Sequence, residues 1–365
     1  MKLYRIKEIP NFDFEIHTIA KAREDMEKVL DCFPFLSLNT VGISSLDVVN
    51  KNKLKKALYY LRPKRIKTLY NLLTFKDKVT ILQYPAEKGR LFDYVIQKNF
   101  IPRNRIILMI HDINSLQSSA GNPEEMASVV PKEVEKFNKA DALIVHNEHM
   151  HRVLVKYGLK VKKVAELKVF DYLIDPNKVF QDAPRTLSNT IAFAGNLSKS
   201  KFIEKIPALK NNNIHIQLYG PYYPEELKQY SIFHYNGNLD AEEIVFKLNA
   251  SFGLVWDGPS AVTCEGNFGN YMQYNNPFKV SLYIAAQLPV IIWKKAALAR
   301  FVEENYIGFT VDSLEEVAPT IENMKDDEYE SIMKNIRALS YKIRQGKFME
   351  AAVKDLLMQY KVEEK

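Results

Sequence analysis

The sequence predicts an α/β fold in which two doubly wound domains face each other across a cleft and a helical tail follows. Short apolar runs rich in β-branched residues alternate along the chain with segments of helical periodicity, which is the α/β pattern. The runs are nearly continuous, as in parallel strands buried on both faces. They occupy 78–84, 105–113, 141–147, 189–196, 214–220, 251–257 and 288–293.

An irregular stretch divides these runs into two sets. Residues 174–189 contain two prolines and show no periodicity, so we interpret them as a linker. The first Rossmann-like domain is predicted over 1–178 and the second over 179–345, and each is long enough to bury its own core. Residues 346–365 continue a helical pattern, and we expect a C-terminal helix that can cross back to the first domain.

The charge balance argues against a nucleic-acid partner. The 365 residues include 51 Lys+Arg and 44 Asp+Glu, a formal net charge of +7. This excess is small and is not gathered into the stripes of a nucleic-acid-binding protein. One basic stretch, 51–67, has apolar residues at helical spacing. It is either a solvated helix face or a patch that meets anionic lipid headgroups.

Cysteine usage and hydropathy indicate a cytoplasmic protein. Cys32 and Cys264 fit neither a disulfide framework nor a metal-ligand spacing, and a reducing compartment suits them best. The N-terminus has no signal-peptide pattern. No stretch approaches the roughly 18 apolar residues of a transmembrane helix. Any membrane contact is therefore expected to be peripheral, at the inner face of the membrane.

Candidate ligand-binding residues follow the strands of the second half, because doubly wound sheets bind ligands at the carboxyl ends of their strands. The first predicted strand there ends at Gly195-Asn196, and Lys199 precedes an apparent helix from about Phe202. Glycine lets the backbone approach a ligand, and a helix N-terminus attracts phosphate. Similar strand exits occur at Tyr219-Gly220 and before Asn238. Each of these turns can also be an ordinary strand–helix connection.

The stretch 252–292 carries the most specific pattern. A strand ends at Asp257, a glycine-rich loop follows, and Asn276-Pro277 opens a helix with asparagine at the predicted N-cap and proline in the first turn. Lys279 then stands in the first helical turn, where a cation opposes the helix dipole. A diphosphate bound at the same N-terminus would explain this placement. The alternative is a lysine that points into solvent.

In the first half, His111 and Asp112 follow a predicted strand directly. A histidine–aspartate pair at a cleft can act as a general acid or base, although histidines at strand ends are more often structural. The chain has no Asp-x-Asp motif, no GxxxxGK[ST] loop, no GxGxxG fingerprint, no CxxC and no GxSxG. We therefore expect no metal and no dinucleotide cofactor.

Residues 275–314 resemble bacterial β-1,6-galactofuranosyltransferases, and also the glucosyltransferase that extends O-linked N-acetylglucosamine on streptococcal serine-rich-repeat adhesins. The motifs IHDINSL, NKADALIVHNEHM, IAFAGNLSK and FGLVWDG occur in the family's order, whereas the first hundred residues match poorly. The resemblance implies the GT-B fold, with an N-terminal acceptor domain and a C-terminal domain that binds a UDP-sugar. The positions it assigns to the donor are Gly195, Asn196, Lys199, Asn238, Asn276 and Lys279. Family members in the adhesin branch have arginine where Lys199 stands, and lysine does not repeat a bidentate guanidinium contact.

The resulting hypothesis is a hexosyltransferase that moves a sugar, galactofuranose by preference, from a UDP-sugar to a glycan or glycolipid acceptor in cell-surface polysaccharide synthesis. Retaining GT-B enzymes often have two glutamates eight apart beside the donor. Here such pairs lie outside the donor stretch, at Glu125/Glu133 and Glu322/Glu330, which favours inversion. Asp112 or His111 is the expected base. The alternatives are glucosyl transfer to an adhesin, a non-catalytic GT-B partner subunit and a periplasmic sugar binder, which the missing signal peptide disfavours. Homo-oligomerisation stays open.

Overall fold

The structure is a computed structural model that describes residues 2–9, 18–41, 78–85, 105–175, 177–178, 185–210 and 213–360. The basic stretch 51–67 lies outside the described residues, so both interpretations of it stay open. Part of the predicted linker and the end of the tail, 361–365, also lie outside them. None of the helices that the described residues form is long and apolar enough to cross a membrane.

The N-terminal sheet has six described strands, all parallel, in the order β2-β1-β3-β4-β5-β6. They are β1 (Lys2–Ile9), β2 (Leu36–Val41), β3 (Lys78–Tyr84), β4 (Arg105–Ile110), β5 (Ala142–Val145) and β6 (Lys163–Glu166). The described helices of this half are α1 (Thr18–Leu30), α2 (Asn114–Ser119), α3 (Pro123–Phe137) and α4 (Glu148–Lys156). Asparagine side chains cap α3 and α4, since Asn122 accepts from the backbone N–H of Glu125 and Asn147 from that of Met150.

Among the described residues, the C-terminal sheet also has six strands, all parallel, in the order β12-β11-β10-β7-β8-β9. They are β7 (Thr190–Ala194), β8 (His215–Tyr219), β9 (Phe233–Tyr235), β10 (Phe252–Val255), β11 (Val290–Trp293) and β12 (Gly308–Val311). The α-helices are α5 (Ala241–Lys247), α6 (Gly266–Tyr271), α7 (Phe278–Ala285), α8 (Ala299–Glu304), α9 (Val317–Asn323), α10 (Asp326–Arg344) and α11 (Lys347–Gln359), and 3₁₀ turns cover Lys201–Ala208, Glu225–Gln229 and Leu314–Glu316. The two parallel sheets confirm the predicted fold class.

The last helix, α11, lies against the N-terminal sheet. Gly346 separates it from α10 with a positive φ of 74°, and a Cβ there would lie 2.3 Å from Cγ2 of Val29. Met349 and Leu356 are fully buried in the core beneath β3, β4 and β5. The carboxylate of Asp171 accepts the backbone N–H groups of Phe348 and Met349 at 3.2 and 2.7 Å. The first turn of α11 is thereby tied to the segment that follows β6.

Replacing Asp171 with alanine should lower the free energy of unfolding by about 2–3 kcal/mol, because two buried N–H groups at the start of α11 lose their acceptor. Urea unfolding measures this change. Asp355→Ala, on the exposed side of the same helix, is the matched control and should stay within about 0.5 kcal/mol of the unmodified protein. Equal effects of the two substitutions would show that the Asp171 contacts do not hold α11.

Candidate active site

At the carboxyl ends of β7 and β8, the backbones of Gly195 and Gly220 lie in direct contact. We call this contact the glycine crossing, and we call the side of the sheet on which it lies the C-terminal edge. A Cβ at Gly220 would lie 1.9 Å from the carbonyl oxygen of Gly195, and Gly220 has a φ of 135°. The N–H of Gly195 donates to the oxygen of Tyr219 at 3.0 Å. Only glycine fits position 220. Neither glycine of this contact carries a side chain that would keep a ligand away from the backbone.

The turn after Gly195 is organised by Asn196. Its Oδ1 accepts from the hydroxyl of Ser198 at 2.9 Å and from the N–H of Lys199 at 3.2 Å. Lys199 is exposed, and its ammonium group makes no ion pair with any part of the chain that the structure describes. The helix expected from about Phe202 is a 3₁₀ helix that begins at Lys201. The turn therefore holds the backbone of Lys199 four residues after Gly195 and leaves its side chain exposed.

Lys279 lies over the same crossing. A Cβ at Gly195 would be 3.0 Å from Cε of Lys279, so the lysine stem rests on the glycine. Its ammonium is 5.0 Å from the ring centroid of Phe193 and 3.9 Å from Oδ2 of Asp257. The side chain is 21% exposed. The fold thus brings Gly195, Asp257 and Lys279 together, and the loose ion pair leaves the ammonium able to contact an anion.

The predicted N-cap of α7 is wrong. Pro277, not Asn276, occupies the N-cap position, and no side chain of the described residues caps this helix. Asn276 is 3% exposed and faces the N-terminal domain, where its Nδ2 donates to the oxygens of His146 and Lys168 at 2.9 and 3.1 Å. Its Oδ1 accepts from Nδ2 of Asn147 at 2.7 Å. Asn276 joins the two domains, and its assignment to the donor stays a prediction.

Of two further predicted ligand-binding residues, Tyr219 is buried and Asn238 is exposed. The Tyr219 ring is buried in the core, where its hydroxyl accepts from the N–H of Asn249 at 3.1 Å and donates to the oxygen of Lys247 at 3.2 Å. Its side chain therefore does not reach the ligand edge, because the strand alternation turns it inward. Asn238 is exposed on the turn after β9. That turn is tied to the crossing, since the N–H of Gly220 donates to the oxygen of Gly237 at 2.9 Å.

In the N-terminal domain, His111 directly follows the last residue of β4 and is buried. Its Nε2 is 2.5 Å from Oε1 of Gln83, and Nε2 of Gln83 donates to Glu27 at 2.7 Å. Because the glutamine amide is thereby oriented, the histidine carries its proton on Nε2. Burial, with Arg23 and His146 nearby, holds the pKa of His111 well below its ordinary value. His111 is a neutral imidazole at physiological pH.

Asp112, the next residue, differs from His111 in its exposure and in its pKa. The carboxyl group is partly exposed, and burial raises its pKa to about 6. The hydroxyl of Tyr271 and the charge of Arg23 oppose that rise, and Glu133 reinforces it. A carboxylate with this pKa is ionised at neutral pH and is more basic than an ordinary aspartate. Of the two predicted candidates, the geometry favours Asp112.

A segment of the C-terminal half connects the C-terminal sheet with the N-terminal domain, and the sequence did not predict these contacts. We call residues 266–276 the arm; it leaves the C-terminal sheet after β10 and lies on the N-terminal domain. Asn267 donates to the oxygen of Ser118, and the oxygen of Tyr274 accepts from Nδ2 of Asn147 at 3.0 Å. Tyr271 contacts Asp112. No local pattern could have indicated these partners, because they are more than a hundred residues away along the chain.

Within the described ranges, no group of three or more His, Cys, Asp or Glu side chains is arranged to hold a metal ion. Metal independence itself stays a prediction. At the C-terminal edge, the ammonium of Lys279 lies 3.9 Å from the carboxylate of Asp257.

Two doubly wound domains, each with a parallel six-stranded sheet, are the architecture of the GT-B glycosyltransferases. The chain belongs to the Glucosyltransferase 3-like family: residues 10–169 match its N-terminal domain and residues 191–356 its C-terminal domain. The predicted resemblance and enzyme class are confirmed.

Two relatives and one solved structure illustrate the similarity. Beta-1,6-galactofuranosyltransferase WbbI of Escherichia coli strain K12 is 33% identical over 255 residues, which cover 69% of this chain and 71% of that protein. Glucosyltransferase 3 of Streptococcus gordonii is 29% identical over 289 residues, 77% of this chain and 79% of the relative. Sucrose-phosphate synthase from Thermosynechococcus elongatus shares the fold, with a TM-score of 0.63, 12% identity and 99% coverage of both chains.

Proposed function

We propose that this glycosyltransferase moves a hexose, galactofuranose by preference, from a UDP-sugar to a glycan or glycolipid acceptor in the synthesis of a cell-surface polysaccharide. The observation that carries the proposal is the placement of Lys279 over the glycine crossing at one domain edge, with a raised-pKa carboxylate, Asp112, at the edge of the other domain. The similarity to a galactofuranosyltransferase supports this donor. The similarity to a glucosyltransferase supports UDP-glucose as the alternative.

In this mechanism the diphosphate lies at the C-terminal edge. Lys279 and the uncapped N-terminus of α7 face its charge, and Lys199 adds a second cation. When the bond between the sugar and UDP breaks, the leaving diphosphate gains negative charge. The two lysines and the helix N-terminus stabilise that charge without a metal ion.

Asp112 acts on the acceptor. Its carboxylate takes the proton of the attacking hydroxyl, the hydroxyl oxygen bonds to the anomeric carbon, and the electrons of the broken bond leave with UDP. Attack on the face opposite the leaving group gives inversion. His111, neutral and hydrogen-bonded to Gln83, lines the same strand exit without taking the proton.

The test is to incubate the protein with UDP-galactofuranose, UDP-glucose and UDP-galactose separately, without divalent metal and with glycan acceptors, and to follow UDP release. Turnover with UDP-galactofuranose alone is the expected result. Turnover with UDP-glucose instead would assign the alternative donor. UDP that raises the melting temperature without turnover on any donor would indicate a non-catalytic subunit, since saturation at 100 times Kd adds about 2.7 kcal/mol of stability. Absence of UDP binding would contradict the donor site.

A further inference from the structure

The arm inserts one side chain into the core of the other domain. Tyr271, at the end of α6, is 1% exposed and belongs to the same apolar cluster as Leu108, Ile110 and Ile113 of the N-terminal domain. Next to it, Asn270 packs on Gly121, where a Cβ would lie 2.4 Å from Nδ2 of the asparagine. The C-terminal half thus supplies a buried residue to the first turn after β4.

The hydroxyl of Tyr271 has a defined direction. It accepts the N–H of Ile113 at 3.1 Å and lies 3.3 Å from Oδ1 of Asp112. Burial raises the pKa of Tyr271 well above its ordinary value, so the phenol keeps its proton. A phenol has one hydrogen, and the N–H of Ile113 occupies a lone pair of the oxygen. The hydrogen is therefore donated to the carboxylate of Asp112.

The same stretch of chain leads from Tyr271 to the diphosphate cation. Between Tyr271 and Lys279, the oxygen of Tyr274 and both amide atoms of Asn276 are bound to the N-terminal domain. The backbone N–H of Asn276 also donates to Nδ1 of His146 at 2.9 Å. A short segment, bound to the N-terminal domain at Tyr274 and Asn276, thereby connects the residue that contacts Asp112 with the cation that faces the donor.

We propose that Tyr271 is a positioning residue for the reaction, whose hydroxyl holds the Asp112 carboxylate in the orientation that accepts the acceptor's proton. The inference rests on the proposed function. It adds that the donor domain aligns the base of the acceptor domain, because the aligning residue belongs to the arm.

Three groups act on Asp112 from the elements around it. Arg23 of α1 and Tyr271 of α6 favour the ionised carboxylate, and Glu133 of α3 disfavours it. Removing the Tyr271 hydroxyl leaves Arg23 and Glu133 in place. The pKa of Asp112 should then rise further above its ordinary value. The acid limb of the activity profile should move to higher pH with it, because the base must be ionised to work.

The experiment is Tyr271→Phe, which keeps the buried ring and removes the hydroxyl. We expect kcat to fall about tenfold, the acid limb to rise by about one pH unit and KM for the donor to stay within about twofold, since a hydrogen bond to a charged group is lost. Tyr157→Phe is the matched control, because Tyr157 packs against the same apolar cluster but lies outside the arm. This control should leave both kcat and the acid limb unchanged.

A second measurement separates this inference from the proposed function. Carbon-13 NMR titration of aspartate carboxyls, with the Asp112 signal assigned through Asp112→Asn, reports the pKa of Asp112 without turnover. A higher midpoint in Tyr271→Phe supports the inference even if no donor is consumed. An unchanged midpoint overturns it. A lower melting temperature together with an unchanged acid limb would make Tyr271 a packing residue only, and would overturn it too.

Discussion

Asp112→Asn should lower kcat by about a thousandfold while leaving the affinity for UDP unchanged. An amide cannot take the proton of the attacking hydroxyl, and general-base catalysis contributes roughly a hundredfold to ten-thousandfold. The substitution is nearly isosteric, and the contact with Tyr271 at 3.3 Å can persist through the amide oxygen. The loss should therefore appear in the chemical step, measured as UDP release at saturating donor and acceptor.

The pH profile gives this prediction a second readout. Burial raises the pKa of Asp112 to about 6, so the base is ionised above that pH and protonated below it. Activity of the unmodified enzyme should be flat above about pH 6 and fall tenfold for each pH unit below. The residual activity of Asp112→Asn should lack this limb. Asp355→Asn, an exposed carboxylate on α11, is the control and should keep it. A limb at the same midpoint in Asp112→Asn would assign the base to another group.

The central strands could be predicted from the sequence because both of their faces are buried. β10 and β11, with the sequences FGLV and VIIW, are apolar throughout. β6 and β12 lie at sheet edges, are half-exposed and have no continuous apolar run. β1 could not be predicted from an apolar run, because it contains the charged residue Arg5. That arginine is buried only because Glu27 and Asp31 neutralise it. Such partners belong to tertiary structure.

In the candidate site too, residues with a local sequence signal could be predicted, and residues fixed by distant contacts could not. The glycines at 195 and 220 could be predicted because a tight strand exit is a local property of the backbone. Lys279 could be predicted because its charge conflicts with the helix dipole. Asn276 was misplaced because its partner, His146, lies 130 positions earlier in the chain, and the contact of Tyr271 with Asp112 spans 159. A propensity for N-cap positions is weaker than four interdomain hydrogen bonds.

Lys279→Ala should lower kcat/KM by about a hundredfold or more, and should weaken the binding of UDP itself. The substitution removes the charge-assisted contact between the lysine ammonium and the diphosphate, both in the ground state and as UDP leaves. The substitution also leaves Asp257 without its cation, 3.9 Å away in the structure, and that carboxylate then repels the diphosphate. Calorimetric titration with UDP and UDP release with the full donor measure the two effects. Lys334→Ala, an exposed lysine on α10, is the control.

The contribution of Asp257 can be separated from that of Lys279 by a double-mutant cycle. If the repulsion is real, UDP should bind more tightly to the double variant Lys279→Ala with Asp257→Asn than to Lys279→Ala alone. Asp257→Asn alone completes the cycle, and additive effects of the two single substitutions would mean that the pair does not interact in the complex. Unchanged UDP affinity in Lys279→Ala would remove the lysine from the donor site. Lys279 is the lysine of α7 that lies over Gly195. If UDP affinity did not change, α7 would therefore contribute no cation to diphosphate binding at the glycine crossing.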